Sequence, residues 1–341
     1  MYISYDDGAQ WQTLNPNFPD LPVVDLVVEG NELVMSAHGR GFWVLDNIAP
    51  LRQAKPGITS EAMTLFTPPA AVRSGTGVTL SWWLADAALE ASLEILNGSG
   101  EVVRILQPQT AAGLNHTTWD LLGEGYVTFP GMIFWGARSR GPAMPPGDYT
   151  VRLTADGHTA TAPLAVKRNP LITDVTDADL QAQYQFSAMV RDRVTDANEA
   201  VIAIRRVKAQ LEDRYGKSDD RRLREAGDRL LANASTVEET IYQVRNQSGQ
   251  DPLNFPIKVN NRLANLMSMA ERGDGRPGNM MPEIYDILSE ELAGYEARLA
   301  EVWATDLSTV NAELRRLGLT QLDPNADPPG TPPNNRSELQ D

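Results

Sequence analysis

The chain has 341 residues, of which 42% are hydrophobic and 22% are charged, a balance typical of folded domains and enough for two or three of them. Its formal net charge of -15 and acidic pI argue against non-specific binding to nucleic acid or to anionic membranes. No segment approaches the roughly 18 consecutive apolar residues of a transmembrane helix. The absence of cysteine excludes disulfides, thiolate nucleophiles and zinc–sulfur sites.

The first residues have the pattern of a β-hairpin with a distinctive turn. The pattern Ser-x-Asp-x-Gly-x-x-Trp falls on Ser4, Asp6, Gly8 and Trp11. Ser4 and Asp6 can bind turn amides that the hairpin leaves unpaired. Gly8 allows a positive φ, and Trp11 can cover the turn with a large apolar surface. We therefore predict that these four residues have structural roles in the turn.

Three short apolar runs follow, separated by polar turns. They span residues 23–28, 33–37 and 41–45. Short strands and polar turns in this rhythm are typical of a propeller blade. The last turn places Arg40 between two glycines, next to His38. Both are candidate ligand or inter-domain contacts, and the alternative is a tight turn in which Arg40 forms a structural ion pair.

The turn pattern, together with residues 24–28 and 38–46, resembles the last repeats of large bacterial BNR-repeat (Asp-box) proteins. These are also described as sortilin-like or as "glycosyl hydrolase, BNR repeat". The resemblance continues through residues 129–133 and 252–257 and so covers most of the chain. It implies that residues 1–57 are a partial β-propeller segment and its linker.

A closed propeller needs ~4–8 blades of four strands each. The resemblance therefore implies that the remaining blades of a full-length protein are partners of this chain. Met1 is then either an internal methionine or the edge of a truncated reading frame. The parent protein is expected in the periplasm or secreted, although residues 1–4 lack the basic and apolar regions of a signal peptide.

Residues 58–168 again alternate with period two, which predicts an Ig-like β-sandwich. The strands are predicted at residues 78–84, 91–96, 101–106, 115–119, 149–153 and 160–166. Trp82 and Trp83 are consecutive on one strand and must point to opposite faces. We expect one in the core, and the other either over the linker or stacked on a ligand.

Residues 120–146 form a connection longer than an unstructured loop usually is. It carries Trp135 and Arg138, which are further candidates for a ligand or inter-domain contact. If this segment were exposed, its apolar side chains would form an interaction patch. We expect instead that it folds over the sandwich or docks on the propeller.

The remaining pattern is helical. Residues 169–322 predict an antiparallel helical bundle, whose first helix is capped by Thr176 and Asp179 and ends at Gly216 as its C′ glycine. Asp306 interrupts the last apolar stripe and is expected at the edge of the bundle. Residues 323–341 predict a disordered tail, because they lack apolar residues that could pack. The predicted fold class is therefore a multidomain β + α protein.

No catalytic or metal-binding constellation stands out. The three histidines are far apart and have no ligand spacing, and phosphate-loop and dinucleotide fingerprints are absent. We expect no catalytic residue, no metal and no cofactor. The first hypothesis is a non-catalytic accessory or scaffold part that serves domain packing, or that binds a carbohydrate or protein ligand. The alternative is a supporting part of a carbohydrate-active enzyme whose site lies in the missing propeller.

Overall fold

The computed structural model describes residues 1–14, 21–54, 57–73 and 75–326, with the side chain of Thr59 outside the description. It combines several β-sheets, one of them curled as a half-barrel, with helices. The chain divides into two compact units. The first is Met1–Leu122 with Pro145–Ile172, and the second is Gly123–Met144 with the chain from Thr173 onward. Within the described residues, the helices are too short or too polar to traverse a lipid bilayer.

The first unit opens with a hairpin and a three-stranded antiparallel sheet, and the predicted strands are confirmed. The hairpin pairs β1 (Tyr2–Ile3) with β2 (Gln12–Thr13). The sheet has the order β3-β4-β5, formed by Val23–Glu29, Glu32–Ala37 and Gly41–Leu45.

A short helix follows the three-stranded sheet, where the sequence predicted only a linker. This helix is α1 (Ala49–Gln53), with Pro50 in its first turn, where a missing N–H is tolerated. Ile48 packs with Leu33 and Met35 in a small core, and Leu51 lies against it. Of the predicted linker, residues 55 and 56 lie outside the described part of the chain.

Two further sheets complete the first unit. Their strands are β6 (Met63–Leu65), β7 (Ala71–Val72), β8 (Val78–Leu84), β9 (Ala91–Leu96), β10 (Val102–Leu106), β11 (Gly113–Trp119), β12 (Gly147–Ala155) and β13 (His158–Lys167). One sheet has the order β10-β9-β12-β13-β7 and the other β11-β8-β6. All pairings are antiparallel except that of β7 with β13. The period-two pattern buries Leu93, Ile95, Val151 and Leu153 completely, as alternation predicts.

The second unit is helical. Its helices are α2 (Asp177–Tyr215), α3 (Arg221–Ile241), α4 (Val259–Ala270), α5 (Met281–Val302) and α6 (Ser308–Arg316). A capping box begins α2: the Thr176 side chain accepts from the Asp179 amide, and the Asp179 carboxylate accepts from the Thr176 amide. α2 ends at Gly216 as expected, but this glycine has φ -68° and is not the left-handed C′ residue that the sequence predicted.

A π-helical turn, Trp303–Leu307, joins α5 to α6. It contains Asp306, whose carboxylate accepts from Asn233 at 2.7 Å and lies 3.7 Å from Arg229. The interruption of the apolar stripe at Asp306 therefore coincides with a change in helix geometry.

The segment Gly123–Met144, here called the strap, belongs to the helical unit. The expectation that it folds over the sandwich or docks on the propeller was wrong. Its aromatic residues Tyr126 and Phe129 are buried in the helical core. The sequence showed that these residues needed cover, but it could not show which surface provides it.

Polar side chains of the helices bind the backbone of the strap. Asn198, fully buried, donates to Val127 O at 2.7 Å. The amide of Asn261 binds both backbone groups of Trp135, accepting at 2.8 Å and donating at 3.0 Å. The strap contains no helix or strand, so these side chains satisfy backbone groups that it buries.

The described chain ends in a segment that contacts α2. Gln210 accepts from the Asp323 amide at 2.8 Å and donates to the carbonyls of Asp323 and Ala326. These are the first residues of the predicted disordered tail, whose remainder, 327–341, lies outside the described residues.

Candidate functional site

The turn between β1 and β2 is organised by Ser4 and Asp6. Ser4 Oγ accepts from the Gly8 amide at 2.8 Å and donates to Asp6 Oδ1 at 2.9 Å. Asp6 Oδ1 also accepts from the Gln10 amide at 2.8 Å. Gly8 has φ +92°, the conformation predicted for it. The ring of Trp11 lies over Gly8, so the four residues have the turn roles that the sequence predicted.

The Asp6 carboxylate is stabilised in its charged form. The hydrogen bond from the Gln10 amide and the one from Ser4 lower the pKa of Asp6 below its ordinary value of 3.8. A group with a lowered pKa contributes stability above its unfolded pKa and loses it as the pH falls through its folded pKa. The contribution of Asp6 to the turn is therefore complete above about pH 4 and is lost in more acidic solution.

We expect Asp6→Asn to remove this acid dependence. Asparagine keeps an acceptor for the Gln10 amide but does not titrate. The measurement is the amide chemical shift of Gln10 followed by NMR as the pH is lowered from 7 to about 2, across the carboxyl range. The wild-type resonance should move with a midpoint below 3.8, whereas the variant resonance should not move. A wild-type midpoint at or above the ordinary carboxyl value would contradict the hydrogen-bonding account.

The sheet β3-β4-β5 carries apolar residues on both faces. On one face, Leu26 lies opposite Met35 and Val28 opposite Leu33. Met35 and Leu33 are buried, but Leu26 and Val28 remain 53% and 47% exposed. Among the described residues, the cover over this face therefore reaches β4 and stops short of β3.

The other face of the same sheet is mixed: four polar residues, Asp25, Glu29, Glu32 and Ser36, lie on it together with four apolar ones. Val27, Val34 and Val44 lie side by side across the three strands. Val27 and Val44 are exposed, and Phe42 on this face is 78% exposed. An antiparallel sheet with one solvated face normally alternates apolar and polar residues. β4 follows this alternation, but β3 and β5 add Val27, Phe42 and Val44, so exposed apolar residues lie among the polar ones of this face.

A groove of about 1040 Å³ lies along the partly covered face. The hairpin, β3 and α1 line it, mainly with apolar side chains, and the polar side chains in its wall are Ser4, Asp7, Asp25 and Arg52. Asp25 accepts from the Leu26 amide, and Arg52 donates to Asn31. The wall of the groove thus combines apolar side chains with polar groups, a composition common in ligand grooves.

The structure does not gather the other candidate residues into one site. His38 and Arg40 are exposed in the β4–β5 turn, and Arg40 lies between Gly39 and Gly41, which both have positive φ. Trp82 is fully buried and donates to Gln109 O, whereas Trp83 is half-buried on the opposite face of β8.

Trp135 and Arg138 lie on the strap in the second unit, and both side chains are exposed. Trp135 is 39% exposed although its backbone is fixed by Asn261. Their role as ligand or inter-domain contacts stays a prediction.

The exposure of apolar residues on both faces of β3-β4-β5, here called the two-faced sheet, was not predicted from the sequence. Residues 23–28 carry the signal for it, because they are almost all apolar. A strand with one solvated face would alternate apolar and polar residues. The sequence alone could not assign these residues to faces, because the register with β4 includes a shift between Val23 and Asp25. Among the described residues, no group of three or more histidine, aspartate or glutamate side chains could hold a metal ion.

Comparisons with known proteins give no assignment. No protein-family model and no curated protein matches the chain. Among solved structures, CopC from Methylosinus trichosporium OB3b is 12% identical with a TM-score of 0.20, over 31% of this chain and 95% of that one. A structure titled pT26-6p is 14% identical with a TM-score of 0.13, over 71% of this chain and 49% of that one. Similarities at these TM-scores do not establish a shared fold.

Proposed function

We propose that this chain is a non-catalytic accessory or scaffold part of an exported BNR-repeat propeller protein. In this proposal the sheet β3-β4-β5 is a blade layer that packs between other blades of the same assembly. The observation that carries it is the exposure of apolar residues on both faces of this sheet, Leu26 and Val28 on one and Val27, Phe42 and Val44 on the other. Packed blades bury both faces, and a solvated sheet buries one.

The turn at Ser4–Trp11 gives further support. Its hydrogen bonds are those expected of an Asp-box, and it precedes the two-faced sheet in the order that the resemblance implies. The expectation that the parent protein is periplasmic or secreted rests on this resemblance alone.

We also propose that β6–β13 form an Ig-like sandwich. The buried Tyr149 hydroxyl donates to Pro145 O at 2.7 Å, four residues upstream, as in the tyrosine corner of such domains. Trp119 packs edge-on against Tyr149 with ring centroids 5.5 Å apart. The helices α2–α6 are in turn proposed to be a bundle that supports the assembly.

The proposal predicts that the two-faced sheet associates when its own partners are absent. We expect the purified chain to bind a hydrophobic dye and to self-associate at micromolar concentration in sedimentation velocity. The triple variant Val27→Thr/Phe42→Ser/Val44→Thr should lose most of both signals, since it makes one face polar.

The matched control is Leu89→Ser/Val102→Thr/Ile105→Thr, which changes three exposed apolar residues elsewhere in the first unit, one in the loop before β9 and two on β10. It should associate as the wild type does. A monomeric wild-type chain without dye binding, or equal effects of the two triple variants, would contradict the blade proposal.

A further inference from the structure

Half of the exposed large apolar residues of the helical unit lie together at one place. Four of them lie on or beside the beginning of α5 and are between 39% and 61% exposed. This methionine patch consists of Met269, Met280, Ile284 and Ile287. Apolar residues scattered singly on a surface are ordinary, but a contiguous group marks an interaction site.

The contacts between α4 and α5 place Met269 beside Ile284. Arg262 of α4 forms an ion pair with Glu291 of α5. Met269 lies two turns after Arg262 on the same helical face, and Ile284 lies two turns before Glu291. The two helices run antiparallel here, so two turns forward on α4 and two turns back on α5 lead to the same end of the helix pair.

Met189 of α2 is also exposed, but it lies outside the patch. The Phe186 and Tyr285 rings are 6.3 Å apart, and Arg193 donates to Ser289 O at 3.1 Å. Met189 lies one turn before Arg193 on the same face of α2. It therefore borders α5 on the flank of Ser289, about 140° around the helix from Ile284.

The patch itself presents a helical stripe that no described residue covers. Met280, Ile284 and Ile287 have the spacing i, i+4 and i+7, which is the apolar stripe of a helix that packs on a partner. Methionine side chains are flexible and polarizable, so they adapt to the irregular apolar face of another helix.

Carboxylates border this stripe. Glu283, Asp286 and Glu290 are exposed on the same turns of α5. None of the three forms an ion pair with another residue in the described part of the chain. The site thus combines an apolar centre with an acidic border, which favours a partner that is apolar on one face and basic beside it.

We propose that the methionine patch binds a basic amphipathic helix of a partner protein. The partner's apolar residues at i, i+3, i+4 and i+7 contact the stripe, and its lysine or arginine side chains contact Glu283, Asp286 and Glu290. This inference concerns the helical unit and does not depend on the blade proposal.

The test uses the full chain and a labelled amidated peptide of leucine and lysine, about 15 residues or roughly four helical turns long. Leucines occupy i, i+3, i+4 and i+7, and binding is followed by fluorescence anisotropy at low and high salt. Ile284→Ser/Ile287→Ser should weaken binding about tenfold or more. Glu283→Lys/Glu290→Lys should also weaken it and should reduce its dependence on salt.

Two controls make the outcome specific. Val244→Ser/Leu253→Ser changes exposed apolar residues of the same unit outside the patch and should bind the peptide as the wild type does. A leucine–glutamate peptide of the same pattern should bind at least tenfold more weakly than the lysine peptide. This loss of affinity is comparable to that caused by removing one central contact of an interface. Equal binding of the two peptides, or of the wild type and the patch variants, would overturn the proposal. So would a dimer of the free chain that Ile284→Ser/Ile287→Ser converts to monomer, since a second copy would then be the occupant.

Discussion

Gly141→Ala is expected to lower the free energy of unfolding of the helical unit by about 3 kcal/mol, at the upper end of overpacking effects. The two ends of the strap cross at Gly141, where a methyl group would overlap the carbonyl of Gly123 and come within 2.6 Å of Glu124 O. These are backbone atoms and cannot rotate away. The Gly123 amide also donates to Pro142 O at 2.9 Å, so separating the two ends breaks a hydrogen bond as well.

The measurement is urea unfolding followed by far-ultraviolet circular dichroism, which reports mainly on the helices. The matched control is Gly249→Ala, because a methyl group at Gly249 meets no atom within 4 Å. We expect the control to stay close to wild type. If Gly141→Ala unfolds at the same urea concentration as Gly249→Ala, the strap does not close as the structure indicates.

Glu238→Ala is expected to destabilise the same unit by about 3 kcal/mol, the lower end for breaking a buried ion pair. The Glu238 side chain on α3 is 6% exposed and lies 2.8 Å from Arg205 and 2.6 Å from Lys208 of α2. The Arg205 guanidinium lies over the ring of Phe129 in the strap, 4.6 Å from its centroid. One carboxylate therefore holds α2, α3 and, through Arg205, the strap.

The lower end of the range is expected because both cations are partly exposed and regain water when Glu238 is removed. Glu225→Ala is the comparison, since Glu225 pairs with Arg221 on the surface of the same helix. It should change the unfolding midpoint little. Equal destabilisation by Glu238→Ala and Glu225→Ala would show that burial of Glu238 does not increase the stabilisation that its ion pairs provide.

The local elements were predictable because short-range chemistry decides them. Gly41–Leu45 and Val78–Leu84 form strands at the residues that the period-two pattern indicated. The capping box at Thr176 follows from two side chains three residues apart. The position of the strap was not predictable, because it depends on Asn198 and Asn261, polar residues that bind backbone groups distant in sequence.

The candidate site also has one part that was predictable from the sequence and one part that was not. The turn at Ser4 and Asp6 follows from a local pattern and forms as expected. The two-faced sheet depends on which residues lie opposite each other, and the shift between Val23 and Asp25 alters that register. A one-residue shift moves side chains to the opposite face of a sheet, so the face on which Val27 lies could not be predicted from the sequence.

Amide hydrogen exchange of the isolated chain tests the central claim most directly, because it compares the two-faced sheet with the other sheets in one molecule. A layer that lacks its covering partners opens locally, so its amides should exchange far faster than those of a fully covered sheet. We predict weak protection for Val23–Glu29 and Gly41–Leu45, and strong protection for Val78–Leu84 and Gly147–Ala155. Equal protection of all four strands would show that the first sheet is complete by itself and would contradict the account.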